Sequence, residues 1–278
     1  MGDDTGDDMT AREDLLAGID PSIPSVARMY DYYLRGKDNF ESDRRAAEKM
    51  ISLVPNIREV ARANRDFLGR AVRLVAESGI RQFIDIGAGL PTQQNVHQVA
   101  RSVAPGSRVV YVDNDPIVLV HARALLADNR DTIVVQGDVN EPKAILDDPA
   151  VREHIDLSQP VAVLMLAILH FVPDDEKAAA IVARLRDGMV PGSYLIISHG
   201  YTGEIGGRTD QQVRALYNKT ATGSIKPRDH AEIAGYFDGL DLLEPGVVPV
   251  DSWRPELDWQ AGIDLTKPTI LGGVARVP

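Results

Sequence analysis

Three aspartates of this sequence each follow or end a short apolar segment. Asp85 lies in FIDIGAGLPT, Asp113 lies in RVVYVDNDP, and Asp138 directly follows TIVVQG. The apolar segments predict buried strands, and the helix-length stretches between them predict parallel pairing, which brings the carboxyl ends of the strands to one crevice. There, Asp113 would accept hydrogen bonds from both hydroxyls of a ribose, and Asp138 would lie beside an adenine amino group. Each acid taken alone also fits a turn or helix-capping residue.

A glycine turn, Gly87-Ala88-Gly89, follows the first of these aspartates, with Pro91 at the start of a predicted helix. Glycine lets the backbone approach a ligand closely, and proline suits the first helical turn. We expect the turn to offer backbone N–H donors to a polar ligand. The spacing departs from a dinucleotide fingerprint, because Thr92 stands where the third glycine would be. A tight strand-to-helix turn without a ligand is the alternative.

Further apolar segments predict an alternating β-α order for the rest of the chain. The nearly continuous run PVAVLMLAILHF (160–171) predicts a central strand buried on both faces. An acidic segment after Pro173 begins a helix that is predicted to reach about Asp187, with its acids near the positive end of the helix dipole. Other strands are predicted at 193–198, 240–249 and 270–277, and other helices at 92–103 and 229–236. The pattern therefore predicts seven strands.

Several segments together resemble one known family. They are PSVARMYDYYLRGKDNF (24–40), FIDIGAGLPT, VVYVDNDP, VAVLMLAILHFVPDD and YFDGLDLLEPGVVPVDSWRP (236–255), and the resemblance covers nearly all of the chain after residue 20. The sequence is similar to the bacterial S-adenosylmethionine-dependent methyltransferase family first catalogued as a domain of unknown function. The resemblance implies an α/β, class I, Rossmann-like methyltransferase fold, with a seven-stranded, mostly parallel sheet whose last strand is antiparallel. It implies S-adenosylmethionine as cofactor, but it does not identify the acceptor.

The resemblance also implies which residues bind the cofactor. The segment 28–37 would form a cap over the cofactor in which Tyr30 or Tyr33 faces the sulfonium and Arg28 or Lys37 faces the methionine carboxylate, since these residue types suit cation–π attraction and charge pairing. Alternatively, the segment is a helical extension whose tyrosines cover the edge of the sheet. The expected cofactor-binding residues are Arg28, Tyr30, Tyr33, Lys37, Asp85, Gly87, Ala88, Gly89, Asp113, Asn114, Asp138, Val139 and Ala167.

An amphipathic helix is predicted over 57–76, with Arg58, Arg62, Arg65 and Arg73 on its polar face. Asn64 is the exception on the apolar face, where an amide must find hydrogen bonds or cost ~1–3 kcal/mol. It would either point into the cofactor site or bond to neighbouring backbone. We expect this helix to belong to a helical N-terminal cap at 21–78, followed by the methyltransferase domain at 79–278.

Two histidines are candidates for a general base. His170 and His199 follow the fourth and fifth predicted strands, whose carboxyl ends face the crevice. A structural, hydrogen-bonding role is the alternative for each, and a base is needed only for some acceptors, because alignment and exclusion of water also promote methyl transfer. Tyr201, Tyr217 and Trp253 would line an acceptor pocket or pack in the core. No metal site is expected, since the six histidines lack a ligand-like spacing.

Composition excludes some classes of protein. The chain has no cysteine and so can form neither disulfides nor thiolate metal sites. Its net charge of −11 argues against nucleic acid as the main partner, although 28–73 holds eleven Lys or Arg against seven acids, most simply a solvated helix face. The first fourteen residues hold six acids and one base, which predicts a disordered tail over 1–20. No signal segment or bilayer-length apolar run is visible, so we expect no membrane association and a cytoplasmic location.

These observations favour a methyltransferase that uses S-adenosylmethionine on a small-molecule acceptor. Two alternatives stay open. An NAD-dependent oxidoreductase would share the parallel sheet and the ribose-binding acid, and a noncatalytic binding or regulatory protein would keep the adenosyl pocket without turnover. The sequence does not indicate the oligomeric state.

Overall fold

A computed structural model describes residues 20–91, 94–126, 129–201, 203, 206–255, 266–267 and 269–278. The predicted acidic tail, except residue 20, lies outside the described residues, as does Thr92. The architecture is α/β, as the sequence predicts. Among the helices described, none combines the length and the apolar character that spanning a bilayer requires.

One mixed sheet organises the molecule. In sequence order its strands are β1 Gln82–Ile86, β2 Arg108–Asp113, β3 Thr132–Gln136, β4 Ala162–Leu166, β5 Tyr194–Tyr201, β6 Asp241–Leu242, β7 Val248–Pro249 and β8 Thr269–Arg276. In space the order is β3-β2-β1-β4-β5-β8-β6, and β7 also pairs with β8. Strands β1 to β5 pair in parallel, whereas β8 is antiparallel to β5. The predicted class I methyltransferase fold, with its last strand antiparallel, is therefore confirmed.

Two predicted strands differ from the structure. The segment 240–249 forms two short strands, because a turn closed by a Gly246 N–H to Leu243 O hydrogen bond separates them and Pro245 has no N–H to donate to a ladder. The central strand is also shorter than predicted. It ends at Leu166, since Ala167 adopts a left-handed conformation with φ of 53° and the chain then enters a 3₁₀ turn at Leu169–Phe171.

Helices flank the sheet and cover its carboxyl edge. They are α1 Val26–Tyr33, α2 Glu41–Leu53, α3 Ile57–Glu77, α4 Val96–Val103, α5 Pro116–Leu126, α6 Pro142–Asp147, α7 Pro149–His154, α8 Asp175–Asp187, α9 Gly207–Tyr217 and α10 His230–Gly235. The amphipathic helix predicted at 57–76 corresponds to α3. Its Phe67, Ala71 and Val75 are fully buried against one face of the sheet.

A separate apolar cluster joins the N-terminal helices to α9. It contains Met29 and Tyr33 of α1, Met50 of α2, and Val213 and Tyr217 of α9. We call it the cap cluster. The sequence did not predict α9, so its contribution to this cluster comes from the structure alone. The cap cluster places α1, α2 and α9 around the space beyond the carboxyl ends of the strands.

Candidate active site

A cavity of about 650 Å³ lies at the carboxyl ends of β1 to β5, with walls from α1, α2, α3 and α9. Its volume is within the range of roughly 300–1,000 Å³ that is usual for small-molecule sites. Twelve of the thirteen residues predicted to bind cofactor line it. They are Arg28, Tyr30, Tyr33, Asp85, Gly87, Ala88, Gly89, Asp113, Asn114, Asp138, Val139 and Ala167. Lys37 does not line it.

The glycine turn is closely packed on one side and open on the other. Gly87 and Gly89 have φ of 75° and 65°, conformations that favour glycine. A Cβ at Gly87 would lie 2.8 Å from Cγ1 of Ile168, so no larger residue fits there. A Cβ at Gly89 would meet no atom within 4 Å, because that position borders the cavity. Gly87 thus serves packing, and Gly89 serves the backbone conformation.

The N–H groups of this turn are engaged within the protein. Gly87 and Ala88 both donate to the carbonyl of Val112, at 2.8 and 3.2 Å, and Gly89 donates to Oδ2 of Asp113 at 2.9 Å. The expectation that these three groups bind a ligand directly is therefore wrong. Their bonds instead hold the turn against β2, which keeps the ligand space open above it.

Asp113 ends β2 in the cavity wall. Besides the bond from Gly89, its Oδ1 accepts a hydrogen bond of 2.9 Å from the Asp115 N–H. Burial raises the pKa of the Asp113 carboxyl, and the backbone donors partly offset this effect. Each oxygen keeps a second lone pair for a ligand hydroxyl. The predicted ribose acid thus also fixes two turns of the backbone.

Asp85, at the end of β1, is a buried carboxylate in the same wall. Its exposed fraction is 4%, and in the described part of the chain no group donates a hydrogen bond to it. Burial raises the pKa of Asp85 to about 7; the positive charge of Arg65 opposes the shift and the negative charge of Asp113 adds to it. A cationic group bound in the cavity would stabilise the ionised form.

The third predicted acid, Asp138, lies where the chain leaves β3. Its Oδ1 accepts hydrogen bonds from the N–H of Asn140 at 2.9 Å and from the Asn140 side chain at 2.8 Å. This is the turn arrangement that the sequence left open as an alternative. Asp138 and Val139 nevertheless line the cavity, as does Asn114 beyond β2. A role in turn formation and a place in the wall therefore coexist.

A chain of hydrogen bonds connects α1 to the sheet through the site. The Ala167 N–H donates to Oγ of Ser198 at 3.0 Å, and that hydroxyl donates to Oδ1 of Asn64 at 2.7 Å. The Asn64 amide then donates to the Tyr30 hydroxyl at 3.1 Å, and Tyr30 donates to the carbonyl of Ala61 at 3.0 Å. Asn64 therefore lies in the cavity wall, and both its amide nitrogen and its oxygen form hydrogen bonds within the protein. Sequence reasoning missed Ser198, since nothing local distinguishes it from other serines.

The two cations predicted for the methionine carboxylate have different positions. Arg28 lines the cavity, but its Nε donates to Asp43 at 2.7 Å and its Nη2 to the carbonyl of Ile23 at 2.8 Å. Its Nη1 lies 4.0 Å from Asp115. Lys37 is exposed in the loop after α1 and does not line the cavity. Arg28 is thus largely committed to holding the N-terminal helices together.

Arg65 is a wall residue that the sequence assigned to the solvent face of α3. It is half-buried, lines the cavity, and interacts electrostatically with Asp85. Its position directly after Asn64, at the border of the apolar face, was the available signal.

Aromatic residues divide between the cavity and the core. Tyr201 and Tyr217 line the cavity, as one alternative predicted. Trp253 does not, because it is fully buried with its ring edge-on to Phe67 at 5.2 Å between centroids. The Tyr33 hydroxyl is buried beside that of Tyr217, and it meets hydrogen-bond geometry with no group in the described residues.

His199 is not positioned as a base. It is fully buried and does not line the cavity. Nη1 of Arg228 donates to its Nε2 at 3.0 Å, so the proton of the neutral ring is on Nδ1, which donates to the carbonyl of Gly200 at 2.9 Å. Burial lowers the pKa of His199 to about 4, and Arg228 adds to the effect. The base prediction for His199 is wrong, and its structural alternative fits.

His170 lies in the cavity wall, but its neutral ring carries a hydrogen-bond donor there and not the free lone pair that a base needs. Its Nδ1 accepts a hydrogen bond of 3.1 Å from the Gly200 N–H, which places the proton of the neutral ring on Nε2. Burial, with contributions from His199 and Arg228, holds the pKa of His170 well below its ordinary value. The ring therefore offers an N–H group and no free lone pair.

Comparisons with known proteins agree with this geometry. The family described as S-adenosyl methyltransferase matches residues 12–278. A solved DUF574 family protein from Streptomyces avermitilis MA-4680 is 43% identical, with a TM-score of 0.85 over 93% of this chain and 99% of that chain. A candidate methyltransferase from Thermobifida fusca YX is 40% identical, with a TM-score of 0.84 over 92% of this chain and 96% of that chain.

More distant likeness supports the fold. The N-methyltransferase NodS from Bradyrhizobium japonicum WM9, solved with S-adenosyl-L-homocysteine, is 12% identical, with a TM-score of 0.50 over 90% of this chain and 99% of that chain. No curated protein matches the chain. The family match favours the methyltransferase interpretation over the NAD-dependent oxidoreductase. The chain belongs to the S-adenosyl methyltransferase family, and it is an S-adenosylmethionine-dependent methyltransferase.

Proposed function

We propose that this enzyme methylates a small molecule that is bound in the same cavity as the cofactor. The observation that carries the proposal is the composition of the cavity wall. Acids line it at the ends of β1 to β3, and apolar residues of the cap cluster line it beside β4 and β5. One space therefore offers polar groups for a nucleoside and an apolar surface for a second, small ligand.

The cofactor supplies an electrophilic methyl group on a sulfonium when it is bound. We assign the carboxylate of Asp113 to the ribose hydroxyls, because it is buried and already oriented by two backbone bonds. Asp138 and Val139 would contact the adenine at the end of β3. Asp85 would bind the methionine ammonium, since a bound cation with N–H donors would stabilise the ionised form of this buried carboxylate, which accepts no hydrogen bond from the described residues.

The methionine carboxylate, on the same carbon as the ammonium, needs a cation. We assign this role to Arg65, because it lines the cavity and its charge acts on Asp85; its Nη2 also donates to the carbonyl of Gln94 at 3.3 Å. The ring of Tyr30 lines the cavity with its hydroxyl bonded to Ala61, and it would present an aromatic face to the sulfonium.

Catalysis in this proposal comes from alignment in a dry site. Neither histidine offers a lone pair to the cavity, and Asp85, the wall carboxylate whose pKa is raised to about 7, is assigned above to the methionine ammonium. Holding the nucleophile in line with the methyl group and excluding water can supply a large part of the rate acceleration. The helices α1, α2 and α3 provide the enclosure.

Calorimetry with S-adenosylhomocysteine and with NAD tests the cofactor assignment, and only the adenosyl ligand should give heat of binding. Turnover is tested with methyl-labelled S-adenosylmethionine on fractions of small metabolites, protein and nucleic acid. Label should enter the small-molecule fraction. Label in protein or nucleic acid alone would contradict the small-molecule acceptor, and tight cofactor binding without turnover in any fraction would favour a noncatalytic binding protein.

A further inference from the structure

The part of the cavity beside β4 and β5 is lined mainly by apolar and aromatic side chains, unlike the acidic part at β1 to β3. Its wall contains Met50 and Val54 around α2, Phe171 of the 3₁₀ turn, Val213 and Tyr217 of α9, and Ile225. We call this set the acceptor half. Its apolar and aromatic side chains favour a flat, apolar molecule, because they offer surface for stacking and burial.

The acceptor half carries no uncompensated charge. Among the described residues, Arg28 and Arg65 are the only arginines or lysines in the cavity wall, and both lie toward the acids of β1 and β2. Asp210, at the acceptor half, forms an ion pair of 2.8 Å with Arg214. Burying an unpaired ionic ligand in such surroundings would be unfavourable. The lining therefore selects a neutral acceptor.

Two polar groups at the acceptor half are neutral hydrogen-bond donors. His170 offers its Nε2–H group, since its Nδ1 accepts from Gly200. Tyr217 offers its hydroxyl, and burial raises the pKa of Tyr217 to about 12, so it remains protonated. The buried Tyr33 hydroxyl lies beside that of Tyr217, but it meets hydrogen-bond geometry with no described group.

This arrangement favours one kind of nucleophile. An aliphatic hydroxyl must transfer its proton to a base as it attacks, and the acceptor half provides none. A phenol can lose its proton to water, and an oxygen anion is stabilised by two donors. Resting on the methyltransferase function proposed above, we infer that the acceptor is a neutral, planar phenol whose oxygen is held by His170 and Tyr217.

The reaction balances without a protein base. The phenol binds as a neutral molecule and gives its proton to water at the opening of the cavity, and the positive charge of the sulfonium compensates the phenolate. The phenolate oxygen then forms the O–CH₃ bond as the S–CH₃ bond breaks. The products are a neutral aryl methyl ether and a neutral thioether.

A matched set of bicyclic probes tests the inference. Binding of 2-naphthol, decahydro-2-naphthol and 2-naphthoate is measured by calorimetry on protein saturated with S-adenosylhomocysteine. We expect 2-naphthol to bind at least about tenfold more tightly than the other two, since the saturated alcohol cannot stack on the aromatic side chains and the carboxylate must be buried without a cation. With S-adenosylmethionine, mass spectrometry should detect 2-methoxynaphthalene and no ether of the saturated alcohol.

Two variants connect the probe to the site. Tyr217→Phe should weaken 2-naphthol about tenfold and leave S-adenosylhomocysteine affinity unchanged. Tyr236→Phe is the control, because Tyr236 is as buried as Tyr217 but does not line the cavity. Its hydroxyl has no hydrogen-bond partner in the described chain. This variant should change neither affinity.

The outcomes separate the two proposals. Failure of S-adenosylhomocysteine itself to bind would contradict the proposed function. If S-adenosylhomocysteine binds normally, three results would overturn the phenol inference alone. They are no binding of 2-naphthol, binding of 2-naphthoate as tight as that of 2-naphthol, and methylation of the saturated alcohol. Equal effects of Tyr217→Phe and Tyr236→Phe would also overturn it.

Discussion

The Ser198 hydroxyl donates a 2.7 Å hydrogen bond to the Asn64 side chain, although the two residues are 134 positions apart in sequence. Both are almost fully buried. Because Asn64 in turn bonds to Tyr30 and Ser198 accepts from Ala167, the bond connects the helices over the cavity to the strand ends beneath it. This hydrogen bond helps to fix the position of the N-terminal helices relative to the sheet.

Replacing Ser198 by Ala should therefore affect stability and binding together. Asn64 Oδ1 loses its donor, which should lower the free energy of unfolding by ~1–3 kcal/mol in urea denaturation. S-adenosylhomocysteine affinity should also fall. Ser193→Ala is the control. Ser193 directly precedes β5, at the end of the strand away from the cavity, and is as buried as Ser198; its hydroxyl accepts a hydrogen bond from the Val161 N–H. That variant should lose stability and keep its affinity.

Asp113→Asn should weaken S-adenosylhomocysteine binding by roughly tenfold to a hundredfold, the equivalent of ~1.5–3 kcal/mol for charge-assisted hydrogen bonds. The fold should persist with some loss of stability, because an amide keeps only one oxygen for the two backbone donors. Asp148→Asn provides the comparison, as Asp148 accepts from two backbone N–H groups at α7 but does not line the cavity. Equal cofactor affinity of the two variants would show that Asp113 is not a ribose ligand.

Binding should depend on pH through Asp85. Its folded pKa of about 7 lies above the ordinary value of 3.8, so the folded, ligand-free protein retains this proton to higher pH than the unfolded chain. Its contribution to stability consequently declines as pH rises from about 4 to 7. A bound ammonium prefers the ionised carboxylate of Asp85. Calorimetry should therefore show tighter S-adenosylhomocysteine binding at about pH 7.5, where Asp85 is largely ionised, than at about pH 6, where it is largely protonated. Asp85→Asn should bind weakly with a flatter profile. An unchanged slope in this variant would assign the pH dependence to another group.

His199→Ala should act on stability. It removes a partner from the buried Arg228 guanidinium, and we expect a loss of ~1–3 kcal/mol in the free energy of unfolding. Cofactor affinity should stay close to that of the unsubstituted protein. Once an acceptor is identified, a folded His199→Ala enzyme whose rate falls by ~10²–10⁴ would restore His199 as a base.

Hydrogen exchange should slow in the segment 26–37 when S-adenosylhomocysteine binds, since α1 lies in the cavity wall and a ligand would restrict its local opening. Helices α6 and α7 line no part of the cavity and serve as the internal reference. Identical exchange in 26–37 with and without saturating ligand would contradict a capping role.

The sequence predicted the strand-end acids well, because a buried strand followed by aspartate is a local pattern and parallel pairing brings such ends together. Contacts between distant segments were not predictable in the same way. The Arg228 donation that occupies His199 comes from a loop 29 residues away, and the ion pair that occupies Arg28 depends on the packing of α1 against α2.

At some positions the residue type and its place in the sequence did not determine whether the side chain lines the cavity. Trp253 reads as either a ligand-facing or a core aromatic until its contact with Phe67 is known. The arginines of α3 share a polar face in sequence, but the helix meets the cavity at one edge of that face, so Arg65 differs from Arg62. A period of 3.6 residues locates the apolar stripe and does not show what lies at its border.

The acceptor half is built from helices and loops around the sheet, whereas the acids belong to the strand ends themselves. Substitutions at Val54, Val213 or Ile225 would therefore reshape the pocket without moving Asp85 or Asp113. Such separation makes the scaffold adaptable: new acceptor specificity can be selected or engineered on the helical side while the machinery for the methyl donor is inherited intact.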